Sequence, residues 1–387
     1  MWYKTRGQKR IDMNKDELMG RVANAIKKTG LHIAIPAVTS RFKWHTRDRF
    51  KKPKVTVVRE KSADKIAVFA IFQPSGMSDF CKKELLYLRK LGYDVVISAP
   101  NGIHARDRSM VEQECRIIVE RDNFGRDFGS YRDAILAVGF DEFAKYERVL
   151  IVNDSIYFPL GDTTEFERRF LNNNADAIGF CENIEFAAHI GSFFIDYSSR
   201  LFCCKDNQEF WRSYKPLESR MHSIHVGEFG VSRVIYKNAS RIDILYSHEH
   251  VINKMVSGDV DVIENMETIN KLLGDHFREL KQTLVTTNAV RSKDIRRFVI
   301  IDEFRQKMAR SSPPHSMGLL LLVFYGAPFM KRDVYFRLAV YLPGAYFALS
   351  QIESDEVRDR IIYEMRKKGT RRNLPARAML INHLGLQ

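Results

Sequence analysis

An α/β fold is predicted for this chain: a Rossmann-type mixed sheet flanked by helices, followed by a mainly helical C-terminal region. Short apolar runs alternate with helical periods from Lys65 onward, the signature of βαβ construction. Glycines at positions 92, 125 and 129 punctuate the joins between these runs. From about Val256 the pattern is mainly helical. With 387 residues, 45% of them hydrophobic, the chain is long enough to bury one large core or two modest ones.

Taken in order, residues 1–64 read as a basic extension, with an amphipathic helix around Asp16 to Lys28 and then poorly periodic sequence containing Pro36 and Pro53. Ile66 to Phe72 reads as a buried strand. Cys81, Leu85 and Leu88 share one face of a helix that ends at Gly92, and Tyr93 to Ser98 is the next strand. Cys115 to Glu120 is a third strand, a helix follows near Ser130 to Val138, and Arg148 to Val152 is a fourth strand. Ligands of open α/β sheets gather at the carboxyl ends of the strands, so the turns after Phe72, Ser98, Glu120 and Val152 are expected to converge. An Asp162-Thr163-Thr164-Glu165 capping box opens a helix carrying Phe166 and Phe170. Asp176 to Cys181 and Ser192 to Tyr197 read as further strands. The expected division is an extension (1–64), an α/β domain whose strand ends gather the ligand (65–255), a mainly helical region (256–350) and a basic helical tail (351–387), with no internal repeat.

A balance of 62 Lys and Arg against 48 Asp and Glu gives a net charge of +14, which attracts anionic partners without choosing among them. The excess is dense at Lys43 to Lys54 and at Arg366 to Arg372; such runs form solvated arms or helix ends. The five cysteines have no CxxC or Cys/His spacing, so neither a disulfide framework nor a zinc site is indicated and a reducing cytoplasm is the expected setting. The N-terminus lacks the apolar core of a signal peptide, and no apolar run approaches the roughly 20 residues that span a bilayer. The longest, Met317 to Met330, is interrupted by Gly326 and Pro328 and reads as a buried helix or an interfacial segment.

Two constellations carry candidate chemistry. In Arg121 to Ala134, Gly125 and Gly129 permit a tight turn before a helix, where backbone N–H groups and Arg126 could face a diphosphate; a plain connector with Asp127 as helix cap is the alternative. In Val149 to Leu160, a strand ends in Asn153, Asp154 and Ser155 before Pro159. An acidic residue at such a strand end can hold a divalent cation that neutralises a leaving diphosphate, although an Asn-Asp-Ser turn alone is ordinary.

The combination is the layout of inverting glycosyltransferases with the GT-A fold. NFGRDFGSYRDA (from Asn123), NDSIYFPL (from Asn153) and HIGSFFIDYSS (from His189) together resemble the successive signatures of the rhamnan synthesis protein F family, and Pro313 to Arg337 resembles its closing segment. The resemblance covers roughly residues 65 to 345. It implies a GT-A-like fold and transfer of L-rhamnose from dTDP-rhamnose onto a growing lipid-linked glycan at the cytoplasmic membrane face. It also implies donor contacts from Asn123, Gly125, Arg126, Asp127, Asn153 and Ser155, and a metal or diphosphate contact from Asp154, with Mg²⁺ or Mn²⁺ as the candidate cation. Ser312, Pro314 and Gly191 depart from the family pattern, which bears on sugar or acceptor identity.

Glu228, in HVGEFGVSRVI, precedes an expected helix with Val231, Val234 and Ile235 inward. In inverting GT-A enzymes a carboxylate at such a place deprotonates the acceptor hydroxyl; the plainer reading is a carboxylate favoured by the helix macrodipole. His189 is a candidate sugar or acceptor contact, His248 and His250 are candidate metal ligands, and Trp211 is assigned to the core. A transferase using another sugar or a UDP or GDP donor is the nearest rival. A noncatalytic binder of anionic lipid or nucleic acid is the second, but the basic runs lie outside the motif-bearing core and no nucleic-acid module is visible, so nucleic acid is not an expected partner. Basic clusters at both ends make an anionic membrane surface a candidate partner.

Overall fold

The computed structural model describes residues 15–28, 52–184, 187–274, 280, 282, 285–286, 291–309 and 311–384. The strands follow the apolar runs: β1 (Lys54–Val57), β2 (Lys65–Ala70), β3 (Tyr93–Pro100), β4 (Ile117–Arg121), β5 (Arg148–Asn153), β6 (Ile156–Tyr157) and β7 (Ala177–Gly179). Then come β8 (Glu182–Asn183), β9 (His189–Ile190), β10 (Phe194–Ser198), β11 (Ile242–Ile244) and β12 (Met330–Lys331). Eight of these form one sheet in the order β1-β4-β3-β2-β5-β10-β7-β11. Strands β4, β3, β2 and β5 are mutually parallel, β1 and β10 run against them, and β7 and β11 are parallel to each other. This is the mixed α/β sheet flanked by helices that the sequence led us to expect.

The central strands are unbroken apolar runs because helices cover both sheet faces. β3 is buried at all of its positions, and β2 and β5 at all but the first. Successive side chains point to opposite faces, so Ala67 and Phe69 enter one core while Ile66 and Val68 enter the other. Full burial of a side chain such as Phe69 contributes about 2 kcal/mol. The first core packs on helix Asp79–Lys90, capped by Ser78, and on the C-terminal helices. The second packs on helices Arg126–Val138, Lys205–Ser213 and Phe229–Asn238. Trp211 is wholly buried there and stacks on Phe128, a core residue as expected.

Direction decides where the site lies. Because β10 runs antiparallel to β5, the residues before β10 meet the residues after β5, with Phe194 opposite Val152. The turns after β2, β3, β4, β5 and β7 therefore share one edge with the turn before β10.

Several local expectations need correction. Lys54–Val57, read as part of an extension, pairs antiparallel with β4 and forms the edge of the main sheet. The helix expected from Ser130 begins one turn earlier, at Arg126, because Gly125 adopts φ 81° and lets the chain turn directly into it. The Asp162 sequence is not a reciprocal capping box: Asp162 accepts from the backbone N–H and hydroxyl of Thr164, an Asx turn. Helix Gly318–Tyr325 is buried, with Leu319 to Leu322 at 2% exposure or less, which removes the interfacial reading of that segment.

The basic run from Arg366 closes helix Asp355–Lys368, where cations complement the macrodipole. Most of the run from Lys43 lies outside the described residues. Helix Lys15–Lys28 packs on the last helix, Ala376–Leu384. Among the described residues no helix is long and apolar enough to cross a membrane, and the five cysteines are free thiols.

Candidate active site

Two adjoining cavities open at the carboxyl edge of the sheet. The smaller, about 330 Å³, lies over the ends of β2, β3, β4 and β5 and is lined by Pro100, Asn123, Asn153 and Glu218 among others. The larger, about 440 Å³, extends toward Glu182, His189, Ser192, Glu228 and the closing segment from Ser312 to Arg337. Phe72, Arg126, Asp127, Asp154 and Ser155 line both. The convergence of strand-end turns expected from topology is therefore present, and Asn123, Arg126, Asp127, Asn153, Asp154, Ser155, His189 and Glu228 are all on these walls.

Gly125 is not a wall residue; it makes the turn. A Cβ there would stand 2.2 Å from Cβ of Pro216, so only glycine allows the close approach. Two backbone donors of the turn are used internally: Gly125 N–H donates to Glu218 (2.8 Å) and Gly129 N–H to the Gly125 carbonyl (2.7 Å). These two glycine N–H groups are therefore not available to a diphosphate. Arg126, at φ 57°, is the group this turn delivers to both cavities. Asp127 lies in the first turn of the helix and accepts from Asn153 Nδ2 at 3.3 Å, while Asn153 Oδ1 accepts Ser155 N–H at 3.1 Å. No side chain caps that helix, so Asp127 is not the cap of the alternative reading.

Asp154 ties two strand ends together. Its Oδ2 accepts from Phe72 N–H (3.0 Å) and Gln73 Nε2 (2.6 Å). Burial raises its carboxyl above the ordinary range, against the lowering effect of those two hydrogen bonds.

Glu228 is not at a helix start. It ends a π-helical stretch, Ser223–Glu228, that follows Arg220–His222 and runs on into helix Phe229–Asn238, with Glu228 itself at αR angles. The macrodipole reading thus loses its basis, and π-helical turns often mark functional sites. Its carboxylate accepts from the Ser192 hydroxyl (2.7 Å) and faces His189 Nε2 at 3.4 Å. His189 Nδ1 meets the Ala187 carbonyl at 2.7 Å, so both ring nitrogens face oxygen atoms. Burial works to raise the Glu228 carboxyl, but the His189 and Ser192 contacts prevail and hold it below its usual value. Glu228 is therefore ionised at neutral pH, as a proton acceptor must be. Val231 and Ile235 are buried behind it and Val234 is half-buried.

The sequence profile of the rhamnan synthesis protein F family matches residues 95–295, just over half of the 387. The chain belongs to the rhamnan synthesis protein F family. It is 25% identical over 202 residues to the uncharacterised protein y4gN of Sinorhizobium fredii, a match over 51% of this chain and 52% of that one, so it spans about half the length of that relative. It is also similar to virulence protein VirA of Vibrio anguillarum, at 33% identity over 87 residues, 21% of this chain and 28% of VirA. Among solved structures, a proposed nucleotide-diphospho-sugar transferase from Desulfovibrio desulfuricans aligns at 13% identity with a TM-score of 0.32, over 63% of this chain and 99% of that one.

The rhamnan synthesis protein F match takes in Asp127, Asp154, His189 and Glu228 but ends before the closing segment, which supplies much of the larger cavity. The sequence marked that segment as the family's closing segment, with Ser312 and Pro314 bearing on sugar or acceptor identity, but named no site residue in it. β12 pairs with β6, setting Lys331 opposite Ile156, so Lys331 reaches Ser155 Oγ at 2.8 Å and lies 3.8 Å from the Phe193 ring centroid. Burial pushes its ammonium down to about 8. His315 Nδ1 faces the Ser312 hydroxyl and its Nε2 faces Asp333 Oδ1, each at 3.0 Å, and burial lowers this imidazole to about 4. Neutral His315 thus donates from Nε2 to Asp333, which Arg337 also grips. Arg220 lines the same cavity. The motif Pro-Phe-Met-Lys-Arg (328–332) was the available signal for these residues.

The structure does not bring His248 or His250 to Asp154. His248 bridges Glu182 (3.0 Å) and the Met308 carbonyl (3.2 Å), and His250 packs by Tyr325, its ring lowered to about 4 by burial. Neither lines either cavity. A protein-held Mg²⁺ or Mn²⁺ at Asp154 fits these residues poorly: one carboxylate oxygen is doubly engaged with Phe72 and Gln73, and Ser155 is engaged by Lys331. Among the described residues no group of three or more His, Cys, Asp or Glu is arranged to hold a metal.

Proposed function

We propose that this member of the rhamnan synthesis protein F family is a glycosyltransferase of polysaccharide assembly, moving L-rhamnose from dTDP-rhamnose to a glycan or lipid-linked glycan hydroxyl with inversion. One observation carries the reading: the two cavities meet at Arg126, Asp127 and Asp154, and Glu228 lies on the wall of the larger cavity alone. A nucleotide fits the smaller space, near Asn123 and Asn153, with its diphosphate toward Arg126. The sugar then lies at the junction and the acceptor hydroxyl in the larger space.

In this reading Glu228, held by Ser192 and His189, accepts the acceptor proton as the oxygen attacks the anomeric carbon. The bond to the nucleoside diphosphate breaks on the opposite side, so a single displacement inverts the centre. Asp127 and Asn153 orient the donor, and Asp154 fixes the junction by holding Phe72 and Gln73.

The test is a donor panel of dTDP-, UDP- and GDP-sugars, following release of the nucleoside diphosphate and the anomeric configuration of the product by NMR. Release only from a UDP- or GDP-sugar would reject the dTDP-rhamnose assignment, and a retained anomer would reject single displacement. Attachment to an anionic membrane face through Arg366, Lys367 and the N-terminal basic run belongs to the same proposal. Each such cation is worth about 1 kcal/mol near the surface, so binding to acidic vesicles should fall steeply with salt.

A further inference from the structure

We propose that the ammonium of Lys331 is the cation on which the departing diphosphate is stabilised, so that transfer proceeds without a divalent metal. This rests on the glycosyltransferase reading above.

Four observations lead to it. The β6–β12 pairing plants a residue from far along the chain immediately after the Asp154–Ser155 turn, the place where the strand-end carboxylate was expected to hold a metal. The ammonium is fixed there between Ser155 Oγ and the Phe193 ring, and it lines the larger cavity. Ser155 is its one hydrogen-bond acceptor among the described residues, leaving two of its three N–H groups for a ligand. Asp333, Glu228 and Asp127, in that order of effect, act on it with their charges, and all three line the larger cavity with it.

The neighbouring Arg332 does different work. It donates to the Ile156 carbonyl (3.1 Å) and lies over the Tyr157 ring at 4.9 Å, so it is a positioning residue for the β6–β12 pair. A divalent ion would have to share the Asp154 carboxylate, one oxygen of which the fold has already committed to Phe72 and Gln73. A tethered ammonium need not.

The step balances without a further reactant. The acceptor oxygen forms its bond to the anomeric carbon and its proton passes to the Glu228 carboxylate. The bond from the anomeric carbon to the diphosphate oxygen breaks with its electron pair on that oxygen. Lys331 donates hydrogen bonds to the charge that develops there and transfers no proton.

The experiment uses the full chain, stripped with EDTA, titrated with dTDP, UDP and GDP by calorimetry and assayed for nucleoside diphosphate release with and without Mg²⁺ or Mn²⁺. Wild type should bind one of these diphosphates and turn over in EDTA to within about twofold of its rate with metal. Lys331→Met should lose about 100-fold or more in turnover, the usual scale for removing one preorganised donor, with no rescue by Mg²⁺ or Mn²⁺. Lys331→Arg should recover part of the rate, and it carries the test should the Met variant fail to fold. Wild type that binds and reacts only with metal, or a folded Met variant with normal turnover in EDTA, would overturn the role of Lys331 while leaving the transferase reading standing. Failure of wild type to bind any nucleoside diphosphate under either condition would overturn both.

Discussion

Gln73 Nε2 donates to Asp154 Oδ2 at 2.6 Å, so the turn after β2 is held by the carboxylate that ends β5. Phe72 N–H meets the same oxygen at 3.0 Å. Asp154 therefore shapes the cavity junction as well as charging it. Asp154→Ala should abolish transfer and cost about 1 kcal/mol of stability, the net worth of the lost hydrogen bonds. Gln73→Ala should show a similar small loss of stability with transfer reduced but present. Thermal unfolding and a donor-consumption assay check both; an Ala variant at position 154 with normal transfer would return the residue to a purely local turn.

Glu228→Gln keeps the shape that accepts the Ser192 hydroxyl but removes the group that takes a proton. The acceptor-dependent rate should fall by about 100-fold or more, while nucleotide affinity stays near that of wild type. A rate within a few-fold of wild type would remove Glu228 from the proposed role.

Arg126 occupies left-handed backbone, φ 57°, next to Gly125 at φ 81°. A non-glycine residue there stores roughly 1 kcal/mol of strain. Arg126→Gly should hold or raise the melting temperature while weakening nucleoside diphosphate binding by about tenfold. A variant that melts lower and binds normally would show that the Arg126 side chain serves the fold and not the donor.

Glu84 is completely buried on helix Asp79–Lys90, and both carboxylate oxygens lack a hydrogen-bond partner. Burial, and then the nearby Asp154, raise its carboxyl well above the ordinary range. The unfolded chain releases the carboxyl proton above about pH 4.3. The contribution of Glu84 to stability is therefore complete below that pH and declines as pH rises toward the folded value. Glu84→Gln has no proton to lose, and its stability relative to wild type should be greater at pH 8 than at pH 5 by about 1 kcal/mol or more. Denaturant unfolding at the two pH values measures this; equal differences at both would contradict the raised carboxyl.

Lys331, lowered by burial to about 8, loses its charge just above neutrality. Transfer should therefore decline as pH rises through about 8, and Lys331→Arg should move that limb to higher pH, since a guanidinium stays charged. An alkaline limb unmoved by this substitution would belong to another group.

What the sequence by itself determined is local or periodic. Alternating apolar runs dictated β2 to β5, because each strand must feed two cores at once. Gly125 dictated the turn that presents Arg126, because glycine readily takes the left-handed backbone that turns the chain into a helix. The Asn153-Asp154-Ser155 turn was legible because an apolar strand ends there in polar residues, and Glu228 because a lone carboxylate precedes an apolar helical face. What only the tertiary structure decided depends on partners distant in the chain. Gln73 reaches Asp154, Lys331 reaches Ser155, and His189 reaches Glu228 because parallel pairing of β2 with β5, antiparallel pairing of β10 with β5, and the short β6–β12 ladder bring separate turns to one edge. His248 and His250 illustrate the converse: their spacing allowed ligation, but helix His248–Ser257 docks with His248 on Glu182 and His250 by Tyr325. Spacing along a chain determines which face of an element a side chain occupies; hydrogen-bond register and helix docking, set by burial of the whole core, determine what that face meets.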